Sequence, residues 1–155
     1  MEKFDLILNT SDFTIQISQN LNNTFHYFRQ STIDAHEAFG VLIGYKTIDE
    51  KYYNLTNLTT PQKNDVHTRN SFKLLDPRHQ QEVDAFFEQS NGRLGYLGTW
   101  HTHPEKNPFA SIVDLEDWNS CITRNNDRKL FFIIIGIEKR VLYFRKNKEF
   151  KRVEF

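Results

Sequence analysis

The 155-residue chain reads as an α/β sheet domain in which strands are interspersed with two or three helices. Three features predict this. Phe13, Ile15 and Ile17 recur at every second residue, the period of a strand with one buried face. Residues 38–45 are almost wholly apolar between Glu37 and Lys46, as suits a central strand covered on both faces. Asp76-Pro77 sets a side-chain acceptor before a proline whose missing N–H costs nothing in a first turn, which marks a helix start.

In chain order, 13–18 is expected as a half-buried strand and 19–30 as a helix carrying Leu21, Phe25 and Phe28 at helical spacing. The buried strand 38–45 contains Gly40 and Gly44. Segments 51–60 and 65–75 are weaker strand candidates around the polar stretch 60–64. The helix opened by Asp76-Pro77 runs to about Ser90 with Val83, Phe86 and Phe87 inward, ending near Asn91-Gly92. A strand over 94–103 is stopped by Pro104, and 111–123 forms a helix with Leu115, Trp118 and Ile122 toward the core. The β-prone segments 130–138 and 141–145 flank Lys139-Arg140 and pair as a hairpin. No repeat, low-complexity stretch or Pro/Gly-rich linker interrupts the chain, so 1–155 is expected to be a single domain.

Lys+Arg and Asp+Glu are both 20, which argues against bulk-charge attraction to nucleic acid or an anionic membrane. Aromatics make up 14% of the residues, enough large apolar side chains to build a core. The lone Cys121 excludes an internal disulfide and fits a reducing compartment; it is expected as a small buried residue. The first residues lack an apolar signal-peptide core, and no apolar run is long enough to cross a bilayer. A cytoplasmic setting is expected.

The chemistry concentrates in 101–114. His101 and His103 sit two apart on a strand and so share a face, a spacing suited to a metal ion. Asp114 falls one turn into the following helix, on the face shared with Trp118 and Cys121. An inward carboxylate needs a partner, and a divalent cation on the two imidazoles would supply it. Two His and one carboxylate leave a fourth Zn²⁺ position open to water, whose pKa zinc can lower from 15.7 to about 7. Glu37, at the mouth of the buried strand, is the candidate general base, and the Ser111 hydroxyl can donate to a developing oxyanion.

Each element alone has a plainer reading. His-x-His can be two partly exposed histidines, Ser111-x-x-Asp114 a variant capping box, and Glu37 a strand-end carboxylate. The combination of His101, His103, Pro104, Ser111 and Asp114 with Glu37 favours the metal site. His36-Glu37 begins like the helical His-Glu-x-x-His motif, but position 40 is Gly40 and the context is strand, so His36 gets no metal role. His26, His67 and His79 lack partners at useful spacing and are expected on the surface.

These residues resemble the JAMM (MPN+, prokaryotic JAB) metalloprotease family. Glu37-Ala-Phe-Gly40-Val-Leu-Ile-Gly44 matches the family's Glu before a Gly-containing strand, and His101-Thr-His103-Pro104, then Ser111-Ile-Val-Asp114 after the seven residues 104–110, matches its second signature. The resemblance implies a cytidine-deaminase-like JAB/MPN domain, a curved mixed β-sheet flanked by helices. It implies Zn²⁺ on His101, His103 and Asp114, Glu37 as base and later acid, and Ser111 stabilising the tetrahedral intermediate. It further implies cleavage of peptide or isopeptide bonds after an extended ubiquitin-like tail, which lies in a groove and often adds as a strand to a sheet edge. The chain is most similar to short bacterial members encoded beside activating-like and conjugating-like enzymes, including the CD-NTase-associated deconjugating peptidases of CBASS antiphage systems. Ala110 stands where many relatives have proline, which predicts a more flexible loop. Ala38-Phe39 follows Glu37 where x-Gly is frequent, and the short 123–129 segment lacks the insertion that grips a distal ubiquitin.

The leading function is therefore a zinc-dependent isopeptidase or peptidase acting on a conjugated or C-terminally extended protein. The alternatives are processing of a ubiquitin-like sulfur-carrier protein and a non-catalytic MPN scaffold, the latter disfavoured by the intact donor set.

Overall fold

In the computed structural model, which describes residues 2–155, one sheet carries most of the chain. Strands β1 (Phe4–Asn9) and β2 (Thr14–Ser18) lead into helix α1 (Gln19–Phe28), followed by β3 (Phe39–Lys46) and β4 (Tyr52–Leu58). A small hairpin of β5 (Val66–His67) and β6 (Phe72–Lys73) precedes helix α2 (Arg78–Gln89). Strand β7 (Gly95–Thr102), helix α3 (Ile112–Arg124), and strands β8 (Phe131–Ile135), β9 (Arg140–Lys146) and β10 (Glu149–Glu154) complete the described elements. Eight strands form one mixed sheet in the order β1-β2-β4-β3-β7-β8-β9-β10, with β2–β4 and β7–β8 parallel.

Burial on both faces explains the apolar runs. In β8, Phe131, Ile133 and Ile135 join a core with Leu21 and Phe25 of α1, while Phe132 and Ile134 pack with Trp118 of α3. In β3, Leu42 faces the α1 core, whereas Val41 and Ile43 meet Val83 of α2. Helix α1 thus covers one face; on the other, α2 packs over β3 and β7, and α3 over β8 and β9.

Two glycines permit this arrangement. A Cβ on Gly40 would stand 1.8 Å from the Thr59 carbonyl oxygen, so only glycine lets that chain cross β3. Gly98 has φ +128°, where the β3–β7 register shifts, and a Cβ there would strike the Phe131 carbonyl at 1.7 Å.

The expected hairpin of β8 and β9 forms, and β3 is covered on both faces as the sequence implies. Several expectations need correction. The β5–β6 segment is mostly loop, with strands of two residues each. Strands β1 and β10 add to the expected set; both are edge strands whose mixed polarity suits an edge better than a core and leaves little sequence signal. Asn147 and Lys148, at φ 51° and 70°, form the tight turn into β10, a conformation usually signalled by glycine. Helix α2 starts one residue later than expected: Pro77 is the N-cap, and Asp76 Oδ1 accepts the Arg78 N–H at 2.9 Å. Phe87 is 53% exposed, because Val83 and Phe86 fill the space over the sheet and leave it at the edge of the packed stripe. His26 is exposed, but His79 is only 2% exposed and sits in a polar network. Its ring nitrogens lie 2.6 Å from Thr59 Oγ1 and 2.6 Å from Asp65 Oδ2. His67 is half-buried, with Nδ1 2.7 Å from the Glu37 carbonyl oxygen.

Candidate metal centre

The end of β7 and the start of α3 bring three donors together. Antiparallel pairing sets His101 opposite Phe39 at the start of β3, and the Thr102 N–H donates to the Ala38 carbonyl at 2.9 Å. That pairing carries Glu37, one residue earlier, to the end of β7. The chain leaves the strand at His103, whose N–H donates to Ile135 O at 3.0 Å, and returns at Ser111 to begin α3.

Ser111 and Asp114 do form a capping box: Ser111 Oγ accepts the Asp114 N–H at 3.0 Å, and Asp114 Oδ2 accepts the Ser111 N–H at 2.8 Å. The cap also aims the carboxylate. Asp114 Oδ1 lies 3.3 Å from His101 Nε2, Oδ2 lies 3.2 Å from His103 Nε2, and the two Nε2 atoms are 2.9 Å apart. Around a tetrahedral ion bound at ~2.0–2.2 Å, ligand atoms stand about 3.3–3.6 Å from one another. The His–His–Asp set is therefore compatible with a zinc site, and all three residues are buried. The plain reading of His101 and His103 as partly exposed histidines does not hold.

Packed this closely, the three donors perturb one another's protonation. Burial alone would raise the Asp114 carboxyl, but hydrogen bonds from His101, His103 and the Ser111 N–H hold it far below the usual carboxylate range. Burial depresses His101 despite Asp114 beside it. For His103 burial acts the same way, but Asp114, Glu37 and Glu105 outweigh it and lift the imidazole above its ordinary value. His103 Nδ1 lies 2.9 Å from Glu105 Oε1, off the line of a hydrogen bond, so that buried nitrogen has no aligned partner.

Glu37 is 5% exposed and stands outside the three-donor set. Its backbone is fixed on both sides: the N–H donates to Thr68 O at 2.7 Å, and the carbonyl faces His67 Nδ1. Burial first, then the charges of Asp114 and Glu105 against the opposing pull of His103, push its carboxyl up to about 7. A carboxylate near neutrality suits a group that must both take and return a proton. Ser111 is exposed at the helix start; its oxygen accepts from Asp114, leaving the hydroxyl hydrogen free to donate. His36 is exposed and packs edge-on against His67 instead of joining the donors.

From Glu37 and Asp114 a cavity of about 970 Å³ runs between α2 and α3 toward Arg124 and Arg128, with Phe72 and Leu74 on the β6 side. The loop 104–110 is pinned, contrary to the flexibility expected from Ala110. The Ala110 N–H, which a proline would lack, donates to the Tyr143 hydroxyl at 3.1 Å. Arg152 of β10 donates to the Pro108 carbonyl at 2.9 Å, a contact hidden from the sequence because β10 was.

The profile of prokaryotic homologs of the JAB domain matches residues 19–149. The chain belongs to the prokaryotic JAB family. The match spans Glu37, His101, His103, Ser111 and Asp114, and begins after β2. Among relatives, a CD-NTase/cGAS isopeptidase of Escherichia coli (strain TW11681) is 37% identical over 109 residues, covering 70% of this chain and 67% of that one. A protein of the same description from Vibrio cholerae (strain ATCC 39315 / El Tor Inaba N16961) is 30% identical over 148 residues, covering 93% and 92%. The fold is also similar to that of a protein of Desulfitobacterium hafniense solved in solution, at TM-score 0.58 and 18% identity, covering 90% of this chain and 89% of that one. Homology to isopeptidases supports a hydrolase acting on isopeptide bonds.

Proposed function

We propose that residues 1–155 act as one JAB domain, a zinc-dependent isopeptidase that releases a protein conjugated through its C-terminal tail. The observation that carries this is the convergence of His101, His103 and Asp114 beside the buried carboxylate of Glu37. Zn²⁺ held by the three donors would supply a Lewis acid that polarises the scissile carbonyl and makes water acidic near neutral pH. Glu37 takes the proton of the attacking water and returns it to the departing amine, a double duty open to a buried carboxyl beside the three donors. The Ser111 hydroxyl donates to the oxygen that gains charge, and its cap to Asp114 keeps it in place.

The acyl-side tail lies extended along the cavity between α2 and α3, where β6 offers a short free edge for strand addition. The relatives' descriptions favour a conjugated CD-NTase or cGAS-like nucleotidyltransferase as substrate, and with it an antiphage role, over sulfur-carrier processing. The test is incubation of purified protein with a conjugate made by partner activating and conjugating enzymes, followed by mass spectrometry. Expected is release of the free tail, stopped by a zinc chelator and restored by Zn²⁺. An intact conjugate with zinc-loaded protein refutes the reading.

A further inference from the structure

The wall that α3 lends to the cavity changes sign along its length. Asp114 and Asp117 occupy the first turns and Arg124 the last, and all three line the same cavity. Ten residues of helix separate Asp114 from Arg124, which at 1.5 Å per residue is about 15 Å. An extended chain covers that distance in four to five residues at about 3.3 Å each. Arg124 therefore stands beside the fourth or fifth residue before the one that bears the reacting carbonyl, which is at the Asp114 end.

The two arginines at this end differ in how they are engaged. Arg128 is occupied: it pairs with Asp127 at 3.0 Å and donates to Tyr96 O at 3.3 Å. Arg124 forms no ion pair among the described residues, although Asp117 on the same wall feels its charge, and its one side-chain hydrogen bond is to Cys121 Sγ at 3.5 Å, a weak acceptor on the same helix face. A guanidinium carries five donors, so nearly all of its capacity is unspent. Val83 and the exposed ring of Phe87 line the cavity from α2 and offer apolar surface to a side-chain stem. Position at a helix C-terminus suits an arginine on its own, but does not account for a large exposed aromatic across the same cavity.

We infer that Arg124 is a specificity-determining residue that reads an acidic side chain, glutamate before aspartate, four or five residues ahead of the scissile carbonyl. This deepens the isopeptidase reading and rests on its placement of the tail. The acid's methylenes lie against Phe87 and Val83 while its carboxylate takes paired N–H groups from Arg124. The same tail bearing lysine there meets a like charge.

The test separates binding from turnover. Zinc-loaded E37Q protein is titrated, by fluorescence anisotropy, with labelled alanine/glycine octapeptides. Two sets place Glu, Gln or Lys at the fourth or at the fifth residue before the C-terminal one. In at least one set the Glu peptide is expected to bind about fivefold tighter than Gln and the Lys peptide more weakly still, the size of one partly screened ion pair, with the spread shrinking in 0.5 M salt. In an E37Q/R124Q background the order collapses, and with R124E it reverses, while the thermal midpoints of the variants confirm folding. Equal affinity for Glu and Lys peptides in both sets, or an unchanged order in folded R124E, overturns the assignment. Hydrolysis of a conjugate by the wild-type protein is scored separately, so a charge preference without any cleavage would uphold Arg124 and refute the isopeptidase.

Discussion

The loop 104–110 and the segment 59–76 flank the same site but are fixed by different means. The loop joins His103 to Ser111 and is stitched to its neighbours by backbone: Ile137 N–H to Glu105 O at 2.8 Å and Lys139 N–H to Lys106 O at 3.0 Å, besides the Tyr143 and Arg152 contacts. The segment behind Glu37 has almost no regular structure. It is held by buried polar groups, in which Asp65 accepts the Leu75 and Asp76 N–H groups at 2.8 Å each, the Gln62 N–H at 2.8 Å, and His79 at 2.6 Å. The half that would hold a metal is thus set by sheet neighbours, and the half that holds the carboxylate by one hub of charge-assisted hydrogen bonds. Such a hub is strong when complete and costly when one member is lost.

His103→Ala breaks the metal half alone. About one zinc per chain by metal analysis should fall to none and hydrolysis should vanish, while Glu37 and its supports stay folded. Glu37→Gln breaks the other half: zinc is retained and turnover falls about 10²–10⁴-fold, measured on a conjugate. Asp65→Asn strikes the hub behind Glu37, with an expected cost of about 2–4 kcal/mol at pH 7 by urea denaturation. Burial works against the Asp65 charge, but the Asp76 N–H, His79 and the Gln62 and Leu75 N–H groups hold its carboxyl below the ordinary value. Its stabilisation is therefore complete above the unfolded value near 4 and fades as pH falls further, so the gap between the two proteins should narrow in acid.

Smaller effects sharpen the contrast. Glu37 is raised, so the metal-free fold loses stability as pH climbs from about 4.5 to 7. Metal-free E37Q should melt roughly 5 °C above wild type at pH 8 and level with it near pH 4. Equal midpoints at pH 8 would mean that Glu37 is not held buried. Tyr143→Phe removes the acceptor for the Ala110 N–H and should cost about 1 kcal/mol with zinc stoichiometry intact. A larger loss of zinc would show that the loop depends on that single contact.

What was legible in the sequence follows the same divide. His101, His103, Ser111 and Asp114 could be placed because strand period 2 and the helical turn after Ser111 dictate which side chains share a face. The buried strands β3 and β8 were visible for the same reason. The hub of Thr59, Asp65, Asp76 and His79 was not, since its members lie in loops and helix ends where no period relates them, and His79 alone looks like any surface histidine. Strand β10 was hidden by its charges, and with it the hold of Arg152 on the loop. A sharp turn at Asn147-Lys148 was the one available signal, and it lacked the usual glycine.

Anomalous diffraction at the zinc edge, on crystals of the protein loaded with Zn²⁺, tests the central claim most directly. One peak per chain should sit against His101, His103 and Asp114 with Glu37 outside the ligand set. A peak ligated by Glu37, a peak away from those three residues, or full hydrolysis by protein freed of metal would contradict it.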